Sequence, residues 1–482
     1  MKPNILILMS DQHRPDALGA AGHPVVQTPH LDRLAAEGVR FARAYCQGPL
    51  CMPARASFLT ERYVREHGVS DNRRELAQDT PTFLQRMREA EYYTSCIGKM
   101  HLYTYHPALR DMRDEAPRLD RLGFDEPHET GGKGASAQAG NEFAHFLAER
   151  GQLDAYRAWY RSLRGQPAWA AAPFSPPLET YLDVWVGQRT VRWIEEYDRA
   201  QPWLMWAGFG GPHSPWDTPA PYAARYDGVE IPLGSTRRPE LDPDSAYGAL
   251  MAARLRVSDT DTLSDEAIRE MRRAYYGNIT LIDEQVGAIV EALRRKGVLE
   301  NTWIIYTADH GEMAGDHGLL AKRVFYEPAA GVPLIVRPPH GAETRAAADR
   351  VAGTVVDALV QHLDLPATAR AIAGAPHLEG SAGRSLLGYL GTGEAQRREV
   401  AISETLGFAM FATDRYKLIV DETQGKPVQL FDLTSDPAED HNLVQDDATA
   451  AVRERLMAEQ VRPFLARPQL HRPEIPGAKA ED

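Results

Sequence analysis

Two uninterrupted apolar runs, far apart in the chain, restrict it to a narrow set of folds. Ile5-Leu6-Ile7-Leu8-Met9 runs straight into Ser10-Asp11-Gln12, and Trp303-Ile304-Ile305-Tyr306-Thr307 into Ala308-Asp309-His310-Gly311. Neither run alternates apolar with polar residues, so each reads as a strand buried on both faces, as in a parallel sheet covered by helices. Between them, strand-like runs at 93–97 and 203–209 alternate with helical patterns at 31–37 and from the N-cap candidate Ser264 to about Lys296. The expected fold class is α/β, a largely parallel central sheet flanked by helices. In such a sheet the carboxyl ends of neighbouring strands deliver their polar residues to one crevice.

With 482 residues, 43% of them hydrophobic, the chain can fill one dominant core and a smaller subdomain. A formal net charge of −13 argues against nucleic acid or an anionic membrane as partner. An anionic substrate would need a local cluster of cations inside that acidic shell. Three cysteines, Cys46, Cys51 and Cys96, are too few for a disulfide framework, although a Cys46–Cys51 bridge stays open. The first apolar run is too short for a membrane span or a signal-peptide core, so a cytoplasmic location is expected. A homo-oligomer is neither required nor excluded.

A catalytic α/β domain is expected over residues 1–394. Within it, residues 103–177 are charged, Gly-rich and aromatic with weak periodicity, and read as an insertion over the active-site face that sets specificity. Residues 395–466 read as a C-terminal subdomain. It has short antiparallel strands at 399–403, 408–413 and 416–420, a turn at Asp414-Arg415, the run Leu430-Phe431-Asp432-Leu433 and a helix over 448–462. The tail, 467–482, carries prolines at 468, 473 and 476 and reads as an extended or disordered arm.

The chemistry concentrates at Cys51-Met52-Pro53-Ala54-Arg55. Gly48-Pro49-Leu50 cannot be helical up to its proline, whereas Pro53 fits the first turn of a helix. Cys51 would then face unpaired N–H groups and the positive end of the helix dipole, a place that lowers a thiol pKa and stabilises an oxyanion. Asp11, Gln12, Asp309 and His310 close two strands that a parallel sheet brings together. Two carboxylates, an amide oxygen and an imidazole suit a hard divalent cation. Gly98-Lys99-Met100-His101 and Gly211-Pro212-His213-Ser214-Pro215 each follow a strand, Lys322 ends Gly318-Leu319-Leu320-Ala321-Lys322, and Asn72 sits in Val69-Ser70-Asp71-Asn72. Each of these residues alone is more often a surface charge, a core-edge histidine or a turn residue than a site; their combination is specific.

Together these segments resemble the type I sulfatases, of the alkaline-phosphatase-like superfamily, and the resemblance spans most of the chain. Cys-x-Pro-x-Arg at 51–55 is similar to the family signature, whose cysteine a formylglycine-generating enzyme or equivalent maturase oxidises to formylglycine. The hydrated aldehyde is the nucleophile. The resemblance implies a metal site of Asp11, Gln12, Asp309, His310 and an oxygen of the modified Cys51, with calcium favoured over manganese or magnesium. Gln12 stands where many members carry a second aspartate. The resemblance also implies that Arg55 holds the formylglycine, that Lys99 and Lys322 contact the sulfate, and that His213 with Lys322 assists the leaving oxygen. His101 would take the proton that lets sulfate depart, and Asn72 would contact substrate.

The implied substrate is a small anionic alkyl or aryl sulfate monoester. Gly98–His101 and Asp71-Asn72 are similar to choline-sulfatase-like members, and Trp159, Trp169, Trp185 and Trp216 are available either to pack or to face a cationic or planar group. Two other readings stand beside this one. A phosphonate or phosphate monoester hydrolase would share the formylglycine and the metal, but the Lys99/His101 pair leans away from it. A non-hydrolytic binding protein would keep the thiol of Cys51 and hold no metal.

Overall fold

The computed structural model describes residues 2–105, 111–239, 242, 244–341, 344–472 and 474. Among them an eight-stranded sheet is built from β1 (Asn4–Asp11), β2 (Val39–Tyr45), β3 (Tyr93–Gly98), β4 (Glu126–Glu129), β5 (Trp203–Pro212), β6 (Thr302–Ala308), β7 (Leu334–Arg337) and β8 (Thr354–Gln361). The strand order is β4-β3-β5-β1-β6-β7-β2-β8. Every pairing is parallel except those of β7, which runs antiparallel to β6 and to β2. The apolar run 5–9 therefore lies at the centre, flanked by β5 and β6.

All eight residues of β1 are buried, and its side chains divide by strand alternation. Ile5, Ile7 and Met9 join a core with Phe58, Phe83 and Leu365, under α2 (Cys51–Thr60) and the helices Phe83–Glu89 and Asp364–Ala373. Leu6 and Leu8 join a second core with Trp185, Leu281 and Val286, under the helices Leu182–Glu196 and Asp265–Lys296. This two-sided burial is what the lack of alternation in the run implied. The long helix starts where Ser264 accepts a hydrogen bond from the Ala267 amide, and ends at Gly297 in the left-handed region (φ 74°).

A second sheet contains β9 (Ala401–Thr405), β10 (Phe408–Ala412), β11 (Tyr416–Asp421) and β12 (Lys426–Asp432), antiparallel in the order β12-β11-β10-β9. The helical region after it runs Ala450–Leu456, then a π-helical turn Met457–Val461, then Arg462–Leu465.

One expectation needs correction. Residues 103–177 are not wholly an insertion, because β4 lies inside them and pairs parallel with β3 at the edge of the main sheet; residues 106–110 lie outside the described residues. The described part of the tail has no helix or strand, as expected of an extended arm, and it is docked on the domain. Leu470 N donates to Arg65 O at 2.7 Å and Arg472 Nε to His67 O at 2.8 Å, while 473 and 475–482 lie outside the described residues. All three cysteines are free and buried. Among the described residues no helix is long and apolar enough to cross a membrane.

Candidate active site

Cys51 is the first residue of α2, after Leu50 in extended backbone. Leu50 has no side chain to cap the helix, and the exposed amide of Met52 is instead satisfied by Asn72 Oδ1 at 3.0 Å. Asn72 thus ties a distant turn to the start of α2, and it also lines the cavity above Cys51. One turn along, Arg55 is fully buried. Its Nε donates to Asp309 Oδ2 at 2.8 Å, its Nη1 to Lys99 O at 2.6 Å and its Nη2 to Asp11 Oδ2 at 3.4 Å.

Parallel pairing of β1 with β6 sets Ser10 opposite Ala308, so the next residues, Asp11 and Asp309, emerge side by side. The ligand atoms of Asp11, Cys51, Asp309 and His310 all lie within 4.8 Å of one another. Cys51 Sγ is 3.3 Å from His310 Nε2 and 3.8 Å from Asp11 Oδ1. His310 Nδ1 donates to Gly311 O at 2.9 Å, which leaves Nε2 as the lone-pair nitrogen facing the cluster. This donor set fits a divalent cation. Gln12, at φ 69°, donates its amide to Asp309 Oδ1 at 3.1 Å. Its side-chain oxygen, expected toward a metal, accepts from Lys322, and its Nε2 donates to Glu312.

The basic residues close round the same point. Lys99 pairs with Asp11 and lies 3.8 Å from Cys51 Sγ. His213 Nδ1 donates to Ser214 O at 2.6 Å, and its Nε2 accepts from Lys322 Nζ at 2.7 Å. His101 is buried with its ring stacked on Tyr105 at 4.5 Å; its amide donates to Glu129 Oε1 at 2.9 Å, and its Nδ1 has no hydrogen-bond partner among the described residues. Every sequence-predicted site residue is therefore in one cluster.

The electrostatics correct one expectation. The Cys51 thiol is pushed up to about 11, by burial and then by the charge of Asp11, against the pull of Lys322 and Lys99. Burial outweighs the helix N-terminus, so the unmodified residue is a neutral thiol and not a reactive thiolate. Burial also opposes the charge on Asp11, but the cations of Lys99 and Arg55 hold its carboxyl well below the usual range. Burial lowers both catalytic-site histidines well below the ordinary value, reinforced at His213 by Lys322 and at His101 by Lys99 and Arg55. Both are neutral imidazoles.

Sequence reasoning missed the residues that hold these groups in place. Glu312 accepts from Gln12, from Ala314 N at 2.8 Å and from Ala321 N at 2.6 Å, fixing the loop between His310 and Lys322. Asp183 accepts from Gly210 N and Gly211 N at 2.6 and 3.1 Å just before His213. Glu312 follows His310 closely enough to have been flagged; Asp183 carries no signal short of the folded chain. The cavity over Cys51, about 390 Å³, is roofed by segments of the 103–177 region, including Tyr160 and Arg164. Of the four tryptophans only Trp216 lines it, T-stacked on Tyr275 with Nε1 donating to Ala168 O at 2.8 Å. Trp159 and Trp185 pack on Phe174 and Phe143, and Trp169 donates to Thr262.

Comparison with known proteins agrees with this geometry. The family described as Sulfatase matches residues 3–375, and the one described as N-sulphoglucosamine sulphohydrolase, C-terminal, matches 315–463. An arylsulfatase of Clostridium perfringens is 30% identical over 356 residues, covering 70% of this chain and 69% of that protein. A choline-sulfatase of Rhizobium meliloti is 28% identical over 468 residues, covering 92% and 83%. The crystal structure of a phosphonate monoester hydrolase of Agrobacterium radiobacter superposes with a TM-score of 0.77 at 26% identity, over 97% of both chains. The chain belongs to the sulfatase family, within the alkaline-phosphatase-like superfamily, and is a sulfuric ester hydrolase.

Proposed function

We propose that this enzyme hydrolyses sulfate monoesters with a formylglycine made from Cys51. The observation that supports the reading is the convergence of Cys51, Lys99, His101, His213 and Lys322 beside the Asp11–Asp309–His310 cluster. Asp11, Asp309, His310 and an oxygen of the modified residue 51 would hold a divalent ion; the donor set suits calcium, magnesium or manganese, and the likeness to sulfatases favours calcium. When present, the ion and the aldehyde hydrate supply Lewis acidity and an activated oxygen nucleophile.

The chain's own residues do the rest. Arg55 fixes the orientation of both carboxylates. Lys99 and Lys322 neutralise charge on the sulfate oxygens. His213 donates through Nδ1 to Ser214 and accepts at Nε2, so the proton for a departing alkoxide resides on Lys322 and is shared with His213. His101, neutral and without a partner at Nδ1 among the described residues, accepts the proton that product release sets free. Cys51 is only 1% exposed, so a maturase must reach it before α2 packs.

The mass of the peptide containing residue 51 tests this directly: it should show aldehyde in place of thiol. Cys51→Ala should abolish turnover while the variant folds and binds calcium. An intact thiol in fully active enzyme would reject the reading. A second reading, phosphonate monoester hydrolysis, is favoured by the Agrobacterium radiobacter neighbour. Assaying phenyl sulfate and a phenylphosphonate monoester on one preparation separates the two; a large phosphonate preference would replace the first.

A further inference from the structure

The cavity above Cys51 carries a charge pattern that selects among sulfate esters. Its charged side chains, apart from the two histidines and Cys51, are Lys99, Lys133 and Arg164, and no Asp or Glu lines it among the described residues. Two of these cations have a carboxylate partner within the protein. Lys99 pairs with Asp11, and buried Lys133 pairs with buried Asp217 at 2.5 Å while donating to His213 O at 3.1 Å. Arg164 is exposed and has no ion pair or side-chain hydrogen bond among the described residues. It follows the helix Leu153–Ser162, on the roof that the 103–177 region contributes. An unpaired guanidinium there gives the cavity a sign opposite to that of the chain, whose net charge is −13.

We infer that the preferred substrates are sulfate esters whose leaving alcohol bears a second anionic group, a carboxylate or another sulfate, received by Arg164. The inference rests on the sulfatase reading above and names the substrate class of the same site. The planar fork of a guanidinium matches either group with two parallel hydrogen bonds. A cavity of about 390 Å³ admits a substituted aryl sulfate or a sulfated monosaccharide. A cationic leaving group meets no carboxylate on the walls. Among the described residues the cavity's aromatic lining besides the histidines is Tyr160 and Trp216, two rings with no carboxylate beside them to hold a cation.

The test separates binding from turnover. Calcium-loaded Cys51→Ala protein, with and without Arg164→Gln, is titrated calorimetrically with 4-carboxyphenyl sulfate, phenyl sulfate and 4-(trimethylammonio)phenyl sulfate. The carboxylated ester should bind about three- to tenfold tighter than phenyl sulfate, and the trimethylammonium ester more weakly. Arg164→Gln should erase the preference for the carboxylate, and Arg164→Glu should invert the order of the two charged esters. Equal affinities for all three, or a preference unchanged by both Arg164 variants, would overturn the inference whatever the turnover. Arg164-dependent binding in a matured wild-type enzyme that hydrolyses none of the three esters would reject the sulfatase mechanism alone and leave the anion site standing.

Discussion

Lys322 Nζ and His213 Nε2 lie 2.7 Å apart, and burial with the Lys322 charge keeps the imidazole neutral. One proton serves both residues, so they should behave as a unit and not as independent contributors. His213→Ala and Lys322→Ala should each slow esters of poor leaving groups far more than 4-nitrophenyl sulfate, steepening the dependence on leaving-group pKa. The double variant should resemble the worse single variant. Fully additive losses would show that the two act separately, and an unchanged leaving-group dependence would reduce His213 to positioning Lys322. These residues were legible in the sequence because each sits in a compact local motif just after a strand or turn. The ionisation of Cys51 was not: the helix N-terminus is visible in Gly-Pro-Leu-Cys, but the burial that overrides it is a property of the packed core. Glu312, Asp183 and the Lys133–Asp217 pair escaped for the same reason, since their partners are set by tertiary contact.

Elements show the same division. β1, β3, β5, β6 and the long helix were readable from period and caps, because continuous burial or a 3.6-residue stripe leaves its mark on composition. β4 was not: Glu126-Pro127-His128-Glu129 has no apolar signature and becomes a strand only because the edge of β3 offers unpaired groups to it. α1 (Pro29–Glu37) is another element completed from outside. Thr28 makes no side-chain cap bond, and the amides of His30 and Leu31 are taken by Asp283, from the long helix, at 3.1 and 2.8 Å. Burial pushes the Asp283 carboxyl up to about 7 against the pull of those two amides. A carboxyl raised in the folded state favours folding fully below its unfolded pKa near 4, and that contribution is lost as pH rises through about 7. Stability of the wild type relative to Asp283→Asn should therefore fall by about 1–3 kcal/mol between roughly pH 5 and pH 8. Urea unfolding at the two pH values measures it; parallel pH profiles for the two proteins would show that Asp283 is ionised throughout.

At the scale of the whole molecule the two sheets are mechanically one. Tyr45 of β2 and Leu359 of β8 share a hydrophobic core with Ala401, Met410, Ile419 and Phe431 of the small sheet. Beside that core, fully buried Lys417 of β11 donates to Phe325 O at 2.9 Å and pairs with Glu327 and Glu439. Burial pushes Glu439 up to about 7, with Lys417 holding it back. Glu327 opens a short helix, Glu327–Ala330, whose carbonyls at Pro328 and Ala329 receive the amides of Glu312 and Gly311 at 2.8 and 2.9 Å. A continuous path of hydrogen bonds thus runs from the C-terminal sheet to the loop that carries His310. Lys417→Met should leave two carboxylates without their cation, at a cost of about 3–5 kcal/mol, and lower the midpoint of a single calorimetric transition. Because the strain falls on the His310 loop, affinity for the proposed divalent ion, probed with calcium, should also weaken, although residue 417 is not among the Asp11–Cys51–Asp309–His310 cluster. Lys417→Arg, which keeps the charge, should recover most of the affinity. Loss of stability with unchanged calcium affinity would show that the small sheet supports the fold without setting the geometry of the site.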